Sequence, residues 1–140
     1  MSAWSRLPCP SLDAFADLAQ ACWLRLPDAF RKAAGEVVFR IEELADEEIL
    51  EALELDDPFA LTGLYQGVDL TRRSLLDPEP FPAMVTLYRR ALLDEWAEAG
   101  DLALEDLVLH VIVHEVGHHF GFSDAAMDAI LLDAAREAGD

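Results

Sequence analysis

Apolar positions along the chain change period several times, and each change marks an element. Leu12, Phe15, Leu18, Ala19, Cys22 and Trp23 recur at three- and four-residue intervals, so Ser11 to Leu26 predicts an amphipathic helix that Pro27 closes. Asp28 to Ala34 reads as one or two further turns ended by Gly35. The period then drops to two: Val37, Phe39 and Ile41 share one face of the β-branched run Glu36 to Ile41, which suits a strand. Phe59 to Asp69, with Gly63 and Gly67 around Leu64-Tyr65-Gln66, carries the punctuation of a short strand or turn passing close to another element, an edge strand being one candidate. Pro78, Pro80 and Pro82 mark a loop ahead of a second strong strand pattern, Met84 to Tyr88. Helical spacing returns in Ala91 to Ala99, stopped by Gly100. It continues in a long helix from about Asp101 to His118 that looks buried on most sides. A final helix from about Asp124 to Ala138 offers Met127, Ile130, Leu131 and Ala134 to the core.

Composition narrows what such a chain can do. At 140 residues and 53% hydrophobic it suits a single domain spanning 1–140, with residues 1–10 expected to be flexible. Ten basic residues against 28 acidic ones give a net charge of −18, which repels phosphate backbones and anionic membranes and argues against nucleic-acid or membrane partners. No apolar stretch is long enough to span a membrane. Met1 to Arg6 lacks the apolar core of a signal peptide, so a cytoplasmic protein with Cys9 and Cys22 as free thiols is expected, a Cys9–Cys22 disulfide being the minor reading. Nine of the sixteen residues from Glu42 to Asp57 are acidic, and without the glycine and oxygen-ligand spacing of a calcium loop they read as a solvated helical face. Arg72-Arg73 and Arg89-Arg90 read first as partners for these carboxylates. The alternative is that one of them lines a cleft and grips a substrate carboxylate or carbonyl.

The chemistry concentrates between residues 114 and 124, where His114-Glu115-Val116-Gly117-His118-His119-Phe120-Gly121-Phe122-Ser123-Asp124 spells H-E-x-x-H-x-x-G-x-x-D. On a helix, positions 114 and 118 lie one turn apart on one face, so both imidazoles can reach one metal ion. Glu115 sits about 100° away round the helix, placed to act as a general base rather than a ligand. In a continuing helix Asp124 would stand about 15 Å beyond His114, so the helix must end, and Gly121 can end it in the left-handed conformation. Asp124 can then return to the metal, giving two imidazoles, one carboxylate and an open position on Zn²⁺. Asp124 also reads as a first-turn acid behind a Ser123 N-cap, and the two roles are compatible. His110, one turn before His114, is read as a core residue, with a place in the cleft as the alternative; His119 is read as a surface residue or a support for the ligands.

This motif run from Leu107 to Ile130, together with Phe59 to Gly67 and Thr86-Leu87-Tyr88-Arg89-Arg90, resembles the small bacterial zincin-like metallopeptidases, or minimal zincins, from about Ala29 onward. The resemblance implies a zinc site of His114, His118 and Asp124 with Glu115 as base. It also implies a compact α+β fold similar to the N-terminal subdomain of larger metzincins, with several helices packed on a small mixed sheet. Only sixteen residues follow Asp124, which leaves no room for the C-terminal subdomain and methionine turn of those larger enzymes, and Met127 is read as a residue inside the last helix.

The function expected is metal-assisted hydrolysis of a peptide or related amide bond. A peptide or protein substrate would lie extended along Leu64 to Gly67 or Met84 to Tyr88 and pair through its backbone. The rival reading keeps the metal and discards catalysis, making the domain a catalytically weak or inactive zinc-binding interaction module. A third, adhesion of the acidic face to a basic partner, rests on charge alone.

Overall fold

The computed structural model describes residues 10–66 and 83–139. Expectations placed on residues 1–9, Gly67, Arg72-Arg73 and the prolines 78, 80 and 82 lie outside the described residues. Among the described residues six helices and three strands follow one another as α1 (Leu12–Leu24), α2 (Asp28–Ala34), β1 (Val37–Glu42), α3 (Glu47–Ala52), β2 (Gly63–Gln66), β3 (Ala83–Tyr88), α4 (Arg89–Ala99), α5 (Leu104–His119) and α6 (Asp124–Gly139), with a 3₁₀ turn at Pro58–Ala60. This is the α+β arrangement expected, and each element falls within a few residues of its predicted place.

Local chemistry explains the boundaries. Ser11 Oγ accepts from the Ala14 N–H at 3.1 Å and so starts α1, satisfying one of the amides a helix N-terminus leaves unpaired. Asp46 does the same for α3 through the Ile49 N–H at 2.8 Å. No residue of α3 is buried, so the acidic run forms a solvated helix as expected. Its Ile49 and Leu50, with Leu44 ahead of it, are partly buried against Tyr88 and Ala91.

The sheet runs β1-β3-β2, with β1 parallel to β3 from Val37↔Ala83 to Glu42↔Tyr88 and β2 antiparallel to β3 from Gly63↔Leu87 to Gln66↔Met84. The central strand is the apolar one, because a strand paired on both sides and covered by helices meets little water. Val85, Leu87 and Tyr88 are fully buried in it. β3 therefore has no free edge, which removes Met84 to Tyr88 as a track for an added peptide. Among the described residues β2 lies at the edge of the sheet, as one of the sequence readings had it.

The main core lies between the sheet, α1 and α5. Phe15, Ala19, Leu104, Val108, Ile112, Val113 and Val116 are wholly buried there. Trp23 meets Phe30 and Phe39 edge-on, at 6.0 and 5.8 Å between ring centroids, and so ties α1 to α2 and β1. Met127 and Ala134 bring α6 into the same core. Among the described residues no helix is long and apolar enough to cross a membrane.

Candidate metal centre

The last turn of α5 stops as the glycine requires. Gly121 takes φ +76°, its N–H bonds His118 O at 3.1 Å, and the Phe122 N–H bonds Gly117 O at 2.9 Å. These are the two reverse bonds of a Schellman cap, which absorb carbonyls that the helix end would leave unpaired. The chain then restarts as α6. Ser123 Oγ accepts from the Ala126 N–H at 3.1 Å, and Asp124 becomes the first helical residue, so the first-turn acid with its serine cap is observed.

A second glycine sets how close the two helices come. A Cβ on Gly117 would lie 2.5 Å from Met127 Sδ, so the buried thioether fills the space that a side chain at 117 would need. This contact was missed in the sequence, where Gly117 is one of the unspecified positions of the motif. Gly63 plays a similar part on the other side, where a Cβ would meet Val111 Cγ1 at 2.7 Å.

The result brings together the three residues picked from the motif. One donor atom each from His114, His118 and Asp124 lies within 4.8 Å of the others, and they are the metal-competent group found among the described residues. His118 Nε2 and Asp124 Oδ1 stand 4.0 Å apart, on side chains 62% and 88% exposed, so the group opens to solvent. His114 is half-buried, and its Nε2 is shielded from water with no hydrogen-bond partner among the described residues. Buried polar atoms are nearly always paired, so a nitrogen left over beside an imidazole and a carboxylate fits a metal ligand. Burial first, then the neighbouring His110 and His118, hold the His114 imidazole below its ordinary pKa. The neutral, ligand-competent form is thereby favoured.

Glu115 is half-buried and meets both the sheet, at Tyr65, and the metal group, at His118. Burial raises its carboxyl above the usual range, while the charge of His118 and a hydrogen bond from the Tyr65 backbone N–H pull the other way. That amide lies on the side of β2 turned away from β3. Tyr88 N–H bonds Thr62 O at 3.0 Å, so in the alternating ladder Leu64 and Gln66 point into the sheet and Gly63 and Tyr65 point out of it. The edge strand thus holds the carboxylate in place, a role that sequence spacing does not reveal because the two residues are 50 positions apart.

Two histidines differ from each other and in part from expectation. His110 is exposed rather than packed in the core. The apolar seam of α5 runs through Leu104, Val108, Val111 and Ile112, which leaves His110 on the ligand face, stacked on His114 at 4.1 Å and 27°. The H-x-x-x-H-x-x-x-H spacing of 110, 114 and 118 carried that signal. His119 is exposed as expected, and its ring lies 4.3 Å from that of Tyr65. Arg89 pairs with Glu43 at 3.0 Å and bonds Pro10 O, and Arg90 lies over Phe59, so neither is oriented as a cleft cation would be.

An H-E-x-x-H helix lying against a small mixed sheet, with a carboxylate returned to it by a tight turn, is the architecture of a metallopeptidase class. Residues 34–133 match the zincin-like metallopeptidase family, and the chain belongs to that family. Membership implies a metal, usually zinc. No curated protein sequence matches the chain.

Proposed function

We propose that the protein is a zinc-dependent peptidase in which His114, His118 and Asp124 hold the ion and Glu115 is the general base. The observation that carries this reading is the convergence of the three donors within 4.8 Å beside a half-buried glutamate. Zinc in such a site supplies a Lewis acid that acidifies water toward a pKa of about 7 and polarises a carbonyl. Glu115 would take the proton from the attacking water on a carboxylate oxygen and return it to the leaving amine. Its raised pKa suits both steps, since a stronger base accepts more readily and its acid form still donates. An extended peptide would pair with the outward N–H and C=O groups of Gly63 and with the outward C=O of Tyr65, whose N–H is held by Glu115. The partner is therefore a peptide or protein substrate; a net charge of −18 argues against nucleic acid. The free thiol of Cys22 accords with a cytoplasmic setting.

The test is Glu115→Gln, which should keep stoichiometric zinc and lose turnover on a peptide library. Undiminished turnover would overturn the assignment of the base. A second reading, a zinc-anchored interaction module without catalysis, draws on the 62% and 88% exposure of His118 and Asp124, because a shallow site grips substrate weakly. Zinc binding with no library cleavage by the parent protein would favour it.

A further inference from the structure

We infer that a cavity between α2 and α6 binds a small aromatic ammonium compound, and that this occupant tightens the metal centre. The inference rests on the three-donor metal group proposed above and is independent of hydrolysis. The cavity measures about 240 Å³; Pro27 and Phe30 line it at α2, Phe122 in the turn after α5, and Ala129, Ile130 and Asp133 on α6. Phe30 is buried at its floor, whereas Ala129 and Asp133 are exposed, so apolar walls lead to a mouth that carries a carboxylate. An apolar cavity of about 150 Å³ holds benzene, so this one has room for two fused rings. The Phe30 and Phe122 rings stand 5.6 Å apart at 37°, and a third ring can pack against them edge-on or offset. Charge sets the other end of the ligand. Asp133 and a net charge of −18 attract a cation to the mouth and repel a carboxylate.

Phe122 joins this cavity to the metal centre. Its N–H bonds Gly117 O at 2.9 Å, its ring lies 3.6 Å from where a Cβ on Gly117 would stand, and Asp124 follows two residues later. The Asp124 side chain is 88% exposed, so its approach to His118 depends on where α6 begins. An occupant wedged between α2 and α6 fixes that start. The ordering needed to close the three donors on an ion is then partly complete before the ion arrives, and affinity rises by that amount. Linkage makes the effect mutual: zinc must tighten the ligand by the same factor.

Naphthylmethylamine is the probe, with its binding followed calorimetrically on metal-free protein and zinc affinity measured by chelator competition with and without saturating probe. The probe should bind the metal-free chain, lower the zinc Kd roughly fivefold or more, and outbind naphthoate, its carboxylate counterpart, by roughly tenfold. Ala129→Trp fills the cavity from an exposed position and should abolish probe binding while melting temperature and probe-free zinc affinity are retained; Ala29→Trp closes it from the opposite wall. Asp133→Asn should shrink the preference for the amine over naphthylmethanol. No probe binding, or binding unmoved by both tryptophan variants, overturns the site and leaves the metal reading intact. Equal binding of amine, alcohol and naphthoate overturns the ammonium selectivity. Binding that leaves zinc affinity unchanged overturns the coupling. Probe binding to a chain that takes up no zinc with or without the probe overturns the metal reading and with it the coupling.

Discussion

The two faces of α5 are made of the same helix and serve opposite ends. Leu104, Val108, Ile112, Val113 and Val116 are fully buried against α1 and the sheet, whereas His110, His118 and His119 stand in solvent. The buried side holds the helix along its whole length, so the open side is free to carry groups that add little to folding. That division predicts that substitutions on the two faces fail in different ways.

The largest effect should come from the buried face. Ile112→Ala removes a fully enclosed side chain and should cost about 2–5 kcal/mol in urea unfolding. Zinc affinity should fall only as far as the folded fraction does; a large drop in affinity without loss of stability would break the comparison. Gly117→Ala sits on the seam between the faces. Overlap with Met127 Sδ costs about 1–3 kcal/mol, and helix propensity returns about 1 kcal/mol. A small net destabilisation is expected, with α6 displaced and zinc bound more weakly, read by calorimetric titration. Unchanged affinity would show that Met127 repacks without moving Asp124.

Cys22 extends the comparison to α1, whose buried face meets α5 near Glu105. Its thiol donates to the Glu105 carbonyl at 3.5 Å, and burial pushes its pKa from 9.0 to about 12, with Arg25 pulling it down. A raised acid pKa means that the unfolded chain loses its proton first. This contribution to stability is thus complete below pH 9 and is lost as pH rises toward 12. The urea midpoint should fall between pH 8.5 and 10.5 by more in the parent than in Cys22→Ala, and a thiol reagent at roughly pH 8 should label Cys22 only on unfolding. The smallest effect on folding belongs to the open face. His118→Ala should leave metal-free stability within about 0.5 kcal/mol while abolishing stoichiometric zinc. A metal-free loss of several times that figure would mean that the open face carries structural weight after all.

Much of this division was legible in the chain because both faces obey one period. The three-four spacing of α1 and α5, the alternation in Val37, Phe39 and Ile41, and the stop at Gly121 are local signals, and local rules recovered them. The convergence of His114, His118 and Asp124 was legible for the same reason, since eleven residues with a turn between them fix the geometry. His110 was misplaced because an isolated histidine among aliphatics resembles a core residue until the ligand face is drawn through 110, 114 and 118. The contact of Tyr65 with Glu115 and the central position of β3 depend on how distant segments meet. Strand order is not encoded in the periodicity of either strand, so Met84 to Tyr88 looked as available as Leu64 to Gln66.

The turn at Phe120 to Ser123 also bears on the order in which the molecule assembles. The donors are separated by a single short loop, whereas β1 and β3 pair Val37 with Ala83 across 45 intervening residues that include α3 and β2. Chain entropy makes the short closure the cheaper and faster one. The reactive residues therefore lie on low-contact-order chain and the sheet on high-contact-order chain, so in refolding the α5–α6 hairpin can form before the edge strand that steadies Glu115 is in place.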